Sequence, residues 1–219
     1  RKNIIIFNKN ILCCKKELFH SVVWLVSKGI NLEIENLQKE TAIFYAIRAK
    51  STAILQVLVE NGANVDHLNV FNRTALQEAV IRANNRIVNY LLQITHTVSN
   101  CDVYGNNLIF DAIANGSIDI IRRIASIKEI NINQINNDGN TVLHKEIVLK
   151  NNELSLLLID LGADPTILDK EGKSFLFYSI TEGIKNINVF QKAISLGCDI
   201  NSRDGKNKNI LMDTVNLFI

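Results

Sequence analysis

The chain has 219 residues, 47% of them hydrophobic and 21% charged, with 10 Gly, a single Pro and a formal net charge of +2. So much apolar material can bury a sizeable core; it excludes disorder, and the scarcity of Gly and Pro excludes collagen. No run approaches the roughly 18 consecutive apolar residues of a membrane helix, and Arg1–Phe7 is too short an apolar stretch, without a small-residue cleavage site, to be a signal peptide.

Composition narrows the chemistry. The 32 Ile, 29 Asn and 16 Lys are a mixture that AT-rich codons produce. Residues 1–110 carry 12 Lys/Arg against 8 Asp/Glu and residues 111–219 carry 12 against 14, an asymmetry too mild to imply nucleic acid or a membrane surface. Cys13, Cys14, Cys101 and Cys198 have no framework spacing, which fits free, buried thiols in a reducing, cytoplasmic or nuclear compartment. His20, His67, His96 and His144 stand alone, so neither a metal site nor a cofactor is expected. Nucleophile-elbow, zincin, P-loop and dinucleotide motifs are absent, and no catalytic residue is expected.

In chain order, a short segment recurs. Residues 1–35 carry a weak copy, Asn10-Ile11-Leu12-Cys13, and then an apolar stretch closed by Gly29. Residues 36–68 hold Thr41-Ala42-Ile43-Phe44-Tyr45-Ala46-Ile47, then Ile54-Leu55-Val57-Leu58 and Gly62. Residues 69–101 hold Thr74-Ala75-Leu76-Gln77-Glu78-Ala79-Val80 and Ile87-Val88-Leu91-Leu92, with Thr95 where the closing Gly would be. Residues 102–135 hold Asn107-Leu108-Ile109-Phe110-Asp111-Ala112-Ile113 and Ile120-Ile121-Ile124, with Lys128 in place of Gly and an extra residue before Asn131. Residues 136–168 hold Thr141-Val142-Leu143-His144-Lys145-Glu146-Ile147, Leu154-Leu156-Leu157-Leu158 and Gly162. Residues 169–202 hold Ser174-Phe175-Leu176-Phe177-Tyr178-Ser179-Ile180 and Gly197, with two extra residues near Gly183-Ile184, and 203–219 begin another copy at Asn209.

The anchors at 10, 41, 74, 107, 141, 174 and 209 are spaced by 31, 33, 33, 34, 33 and 35. All seven are Thr, Ser or Asn, side chains that cap a helix by accepting an orphan backbone N–H. Two residues on stands Leu12, Ile43, Leu76, Ile109, Leu143, Leu176 or Leu211, a position expected to be buried in every copy. Ala46, Ala79, Ala112 and Ser179 mark close helix approach, and the terminal glycines suit the left-handed residue that ends a helix. Each unit is expected to be helix, turn, helix and extended finger, burying its apolar face only against the next.

The pattern resembles the ankyrin-repeat family over nearly the whole chain, most clearly at Asn137-Asp138-Gly139-Asn140-Thr141-Val142-Leu143-His144. The resemblance implies an all-α ankyrin-repeat solenoid of helix-turn-helix units with short β-hairpin-like fingers. The family's Pro after the anchor is missing in every copy, so the cap alone must start these helices. The middle fingers are expected to be the least ideal. Glu146 replaces the small residue, with Lys150 in reach at i+4. His144 is expected to bond between repeat loops. Because the chain reaches only a first helix before Ile219 and begins at Arg1, a longer natural chain is expected.

The resemblance also implies a protein-interaction module, a monomer or part of a longer chain, binding another protein along a concave finger and first-helix surface. Neither nucleic acid nor membrane is expected as a partner: Arg82, Arg86, Arg122 and Arg123 read as a solvated face. An effector that captures a host protein, or a substrate-recruiting segment of an enzyme, are the alternatives. Three residues before each anchor stand Gln38, Phe71, Tyr104, Asp138, Glu171 and Lys206, where the family is exposed and variable. The aromatic pair Phe71 and Tyr104 is expected to project side by side as the binding hot spot. Arg73, Glu78, Ile81 and Arg82, with Asp111, Ala114 and Asn115, extend the candidate site, as do Tyr45 and Arg48.

Overall fold

The computed structural model describes residues 19–148, 151–181 and 187–216, with the side chains of 146–148, 180–181, 213–214 and 216 left aside. Asn10, Leu12, Cys13, Cys14, Lys150, the Glu146 side chain and the insertion near Gly183-Ile184 therefore lie outside the described residues. The described residues form twelve helices and no strand; the only bridges among them are the isolated pairs Leu168–Ser174 and Arg203–Asn209. The fingers are short hairpin-like turns, and these two bridges flank those at 169–173 and 204–208.

The chain divides into two compact units. The first, residues 1–103 with 110–124, contains α1 (Phe19–Ser27), α2 (Ala42–Arg48), α3 (Thr52–Glu60), α4 (Ala75–Ile81), α5 (Asn85–Leu91), most of α6 (Leu108–Asn115) and α7 (Ile118–Ala125). Within it α2 packs on α3 and α4, α4 on α5, and α1 on α3. The second, residues 104–109 with 125–219, contains α8 (Val142–Val148), α9 (Asn152–Asp160), α10 (Phe175–Thr181), α11 (Ile187–Ser195) and α12 (Ile210–Asn216). There α8 packs on α9 and α10, and α10 on α11 and α12.

Both units rest on the repeated apolar positions. Ile43, Leu76, Ile109, Leu143 and Leu176 are each at most 1% exposed, and Ala46, Ala79 and Ala112 are fully covered. A helix of seven residues is too short to persist alone in water, so its stability comes from this burial rather than from propensity. Leu211 breaks the expectation at 69% exposed, with Met212 and Val215 beside it in the open. No described first helix follows α12, so the side that α4 covers on α2, and α10 covers on α8, is bare there.

Caps are less uniform than the anchors suggest. Thr74 and Gln77 form a full capping box, and Asn209 accepts from the Met212 N–H at 3.0 Å. At α8 the third helical residue is His144, whose Nδ1 accepts the Thr141 N–H at 3.2 Å and meets the Thr141 hydroxyl at 2.9 Å. Its Nδ1 is thus engaged at its own helix start, while backbone groups of Ile167 and Lys173 in the neighbouring finger also act on the ring. Thr41 makes no side-chain cap, and its Oγ1 and that of Ser174 are buried without a hydrogen-bond partner. Their small polar side chains are tolerated in the helix entry without supplying the bond.

Candidate functional site

One device builds the fingers at Asn36, Asn69, Asn136, Asp169 and Asp204. Five residues before the anchor stands Asn36, Asn69, Asp102, Asn136, Asp169 or Asp204. Its side-chain oxygen gathers two N–H groups of its own turn: Asn36 from Gln38 and Glu40 at 2.7 and 2.9 Å, Asn69 from Phe71 and Arg73 at 2.9 and 3.1 Å. Asn136, Asp169 and Asp204 do the same for the N–H groups two and four residues on, at 2.8 to 3.1 Å. A short polar side chain that closes its own backbone in this way removes the need for a strand ladder. The finger at Asn136 closes in the same way as those at Asn36, Asn69, Asp169 and Asp204.

Two residues before the anchor the backbone turns left-handed: Lys39, Asn72, Gly105, Gly139, Gly172 and Asn207 have φ between +54° and +85°. Adjacent fingers are then joined by a backbone rung. The N–H of Val70 donates to the Gln38 carbonyl and that of Val103 to the Phe71 carbonyl, both at 3.0 Å, in the first unit. In the second unit Asn137 donates to the Tyr104 carbonyl at 2.9 Å and Gly205 to that of Glu171 at 2.6 Å. The backbone is spent on holding the row, and the side chains at the tips are left to face water.

Phe71 is 45% exposed with the Arg73 guanidinium 6.0 Å from its ring centre, and Tyr104 is 53% exposed. Phe71 belongs to the first unit and Tyr104 to the second. The other polar candidate residues of the first unit are held by several separate groups of polar contacts. Arg48 pairs with Glu40, and its Nε reaches Glu78 Oε1 at 3.3 Å; the same oxygen accepts from Arg82 Nε at 2.6 Å. Tyr45 is half-buried under Arg48, 5.0 Å from its ring centre, and its hydroxyl accepts from Asn36 at 2.9 Å. Arg73 reaches Asp102 Oδ2 through Nη2 at 2.8 Å and Nε at 3.3 Å. Asp111 Oδ2 accepts from Gln77 Nε2 at 3.3 Å. Asn115 caps the end of α4 by donating to the Val80 and Ile81 carbonyls at 2.9 and 3.3 Å, with Ile81 half-buried beside it.

Glu78 and Asp111, expected on the partner-facing side, are 7% and 5% exposed. A carboxylate taken out of water must be paired or lose its charge, and the two show both outcomes. Glu78 has two guanidinium groups. Asp111 has a neutral amide, and burial first, then the neighbouring charges of Asp102 and Glu78, push its pKa up to about 7 against the opposing pull of Arg73. Burial works against ionised Arg48, but its bonds to Glu40 and Glu78 prevail and raise its pKa. Cys198 is buried, and the low-dielectric surroundings, with Asp164 nearby, push its thiol up to about 11, far from a nucleophile's range. Among the described residues no group of three or more His, Cys, Asp or Glu is placed to hold a metal ion, and no helix is long and apolar enough to cross a membrane.

The residues missed from sequence are the Asn/Asp at the finger base; their recurrence five before each of the anchors from Thr41 to Asn209 is the available signal.

The comparisons agree with this construction. A family model described as ankyrin repeats (3 copies) matches residues 11–107 and again 108–204. No curated protein matches the chain. Among solved structures, the ankyrin-repeat domain of Bcl-3, a member of the IkappaB protein family, is 18% identical and superposes with a TM-score of 0.81 over 93% of this chain and 92% of that one. The human ASB11 ankyrin-repeat domain is 18% identical, with a TM-score of 0.74 over 94% and 90% of the two chains. An ankyrin-repeat domain from Acinetobacter baumannii AYE is 21% identical, with a TM-score of 0.76 over 87% of this chain and 98% of that one. With two family matches that together span residues 11–204 and the same repeat architecture in all three structures, the chain belongs to the ankyrin-repeat family.

Proposed function

We propose that this chain is a scaffold or adaptor that holds a partner protein along its fingers and first helices. Ankyrin repeats are in general protein-interaction modules. The observation that carries the reading here is the exposure of Phe71 and Tyr104 on turns whose backbone groups are already engaged. An exposed aromatic ring adds nothing to the core and is a typical interface anchor. Arg82, with 42% of its side chain exposed, offers a cation on the first-helix side of the first unit, while Arg48 and Arg73 are tied to buried carboxylates and hold the surface in place. The unpaired Cys101 and Cys198 support a reducing compartment as its place of work.

The test is affinity capture from the source cells with the wild-type chain and with Phe71→Ala/Tyr104→Ala, quantified by mass spectrometry, with melting followed in parallel. A specific partner should be lost with the double variant while Tm stays within about 2 °C, as surface changes do. Unaltered capture by a folded double variant refutes the site, and a much lower Tm shows that the rings belong to the core.

A further inference from the structure

One register position on the fingers is apolar in the first unit without being needed for folding. Four residues before the anchor stand Leu37, Val70 and Val103, which are 102%, 41% and 46% exposed, and Phe71 follows Val70 at 45%. The rungs Val70–Gln38 and Val103–Phe71 hold the three fingers in register, so these side chains form a row on one edge of that unit. The second unit supplies the control. At the same register position it has Asn137, Lys170 and Gly205, and the N–H groups of Asn137 and Gly205 make the same rung. The turn therefore accepts a polar residue or none at all, and neither the finger nor its rung explains the aliphatic side chains. Exposed apolar groups in a row cost solubility and mark a contact surface.

The charges on those fingers have one sign outward. Glu40 and Asp102 are 5% exposed and paired with Arg48 and Arg73, while Lys39 is exposed and the Arg73 side chain is 24% exposed beside Phe71. Along the adjoining first helices Glu78 and Asp111 are buried, and Arg82 is exposed. On these turns and first helices carboxylates lie inside and cations outside, while Glu35, just before the first finger, is exposed beside His67. We infer that the Leu37–Val70–Phe71–Val103 row takes an extended protein segment with alternating apolar side chains and flanking carboxylates. This rests on the proposed interaction function and deepens it by giving the partner's chemistry.

The experiment pans displayed random 12-residue peptides against the full chain. Enriched peptides are then synthesised and measured by fluorescence anisotropy at low and high salt. The inference requires enrichment of apolar residues with Asp or Glu. Leu37→Ser/Val70→Ser/Val103→Ser should weaken those peptides at least 10-fold, Lys39→Glu should weaken them several-fold at low salt only, and circular dichroism should show both variants folded. Enriched peptides that are basic, or that bind the triple variant as well as wild type, overturn the inference but leave the interaction function standing. Absence of any specific peptide, together with no partner in the capture experiment, removes the function as well. Concentration-dependent dimerisation of the wild type, lost in the triple variant, would assign the row to a second copy of this chain and overturn the peptide reading.

Discussion

Asp111→Asn isolates the cost of a carboxylate buried in the first unit with a neutral amide as its hydrogen-bond partner. Its neighbours are Gln77, which donates to it, and the charged Arg73, Asp102 and Glu78. With the pKa raised from 3.8 to about 7, the folded state keeps a proton that the unfolded chain releases. Stability from this group is therefore fully present below the unfolded pKa, declines as pH rises through the window from about 4 to about 7, and stays low above it. A shift of about 3 units corresponds to at most about 4 kcal/mol. Asn cannot ionise, and its carbonyl can still accept from Gln77, so the variant escapes the decline. Urea unfolding at pH 4, 5, 6, 7 and 8 should give near-equal stabilities at the acid end and a variant more stable by a growing margin toward pH 8. Other groups with perturbed titration, such as Asp66, whose carboxylate is burdened by burial but held low by its bonds to Thr95 and Thr97, cancel in the difference. A variant that is less stable than wild type at pH 8, or a difference independent of pH, would refute the reasoning.

Three further substitutions test the framework. Leu143→Ala, at 1% exposure in α8, should cost about 2–5 kcal/mol in chemical denaturation and loosen the neighbouring α9 and α10 in hydrogen exchange; a loss below about 1 kcal/mol would misplace the core. Thr74→Ala, which removes a complete capping box, should cost about 1 kcal/mol, whereas Thr41→Ala, which removes no cap bond, should cost less; equal losses measured by urea unfolding would contradict the cap assignment. Gly162→Ala meets no atom within 4 Å but must hold φ +99°, a strain of about 1–2 kcal/mol. Gly105→Ala adds a Cβ 2.9 Å from the Asn137 backbone N, so it should lower stability further and disturb the rung at Tyr104.

The repeat was legible because its punctuation is local. A capping residue, a buried Leu or Ile and a closing Gly recur at fixed intervals, and Gly29, Gly62, Gly162 and Gly197 all take the positive φ expected of them. Burial of charge was not legible in the same way. Glu78 and Asp111 share one register position, four residues after their anchors, and only the arrangement of Arg48, Arg82 and Gln77 around them shows that they face inward. The tip of the finger, where side chains vary, is its visible feature in sequence, whereas its geometry is set by the Asn or Asp at its base. Leu37, Val70 and Val103, which precede the tip by one residue, look like strand residues in sequence. The orphaned hydroxyls of Thr41 and Ser174 carry the same lesson: a capping residue type does not by itself make the bond.

The most direct test of the account is site-specific photocrosslinking in the source cells, with a benzophenone side chain in place of Phe71 and, in a parallel variant, in place of Arg86 on the exposed face of α5. Both sites are on the surface of the same unit, so folding and abundance are matched. The account predicts one discrete protein adduct from position 71 and none above background from position 86. An adduct only from position 86, or the same adducts from both, would place the partner elsewhere and contradict the claim that the fingers are its binding surface.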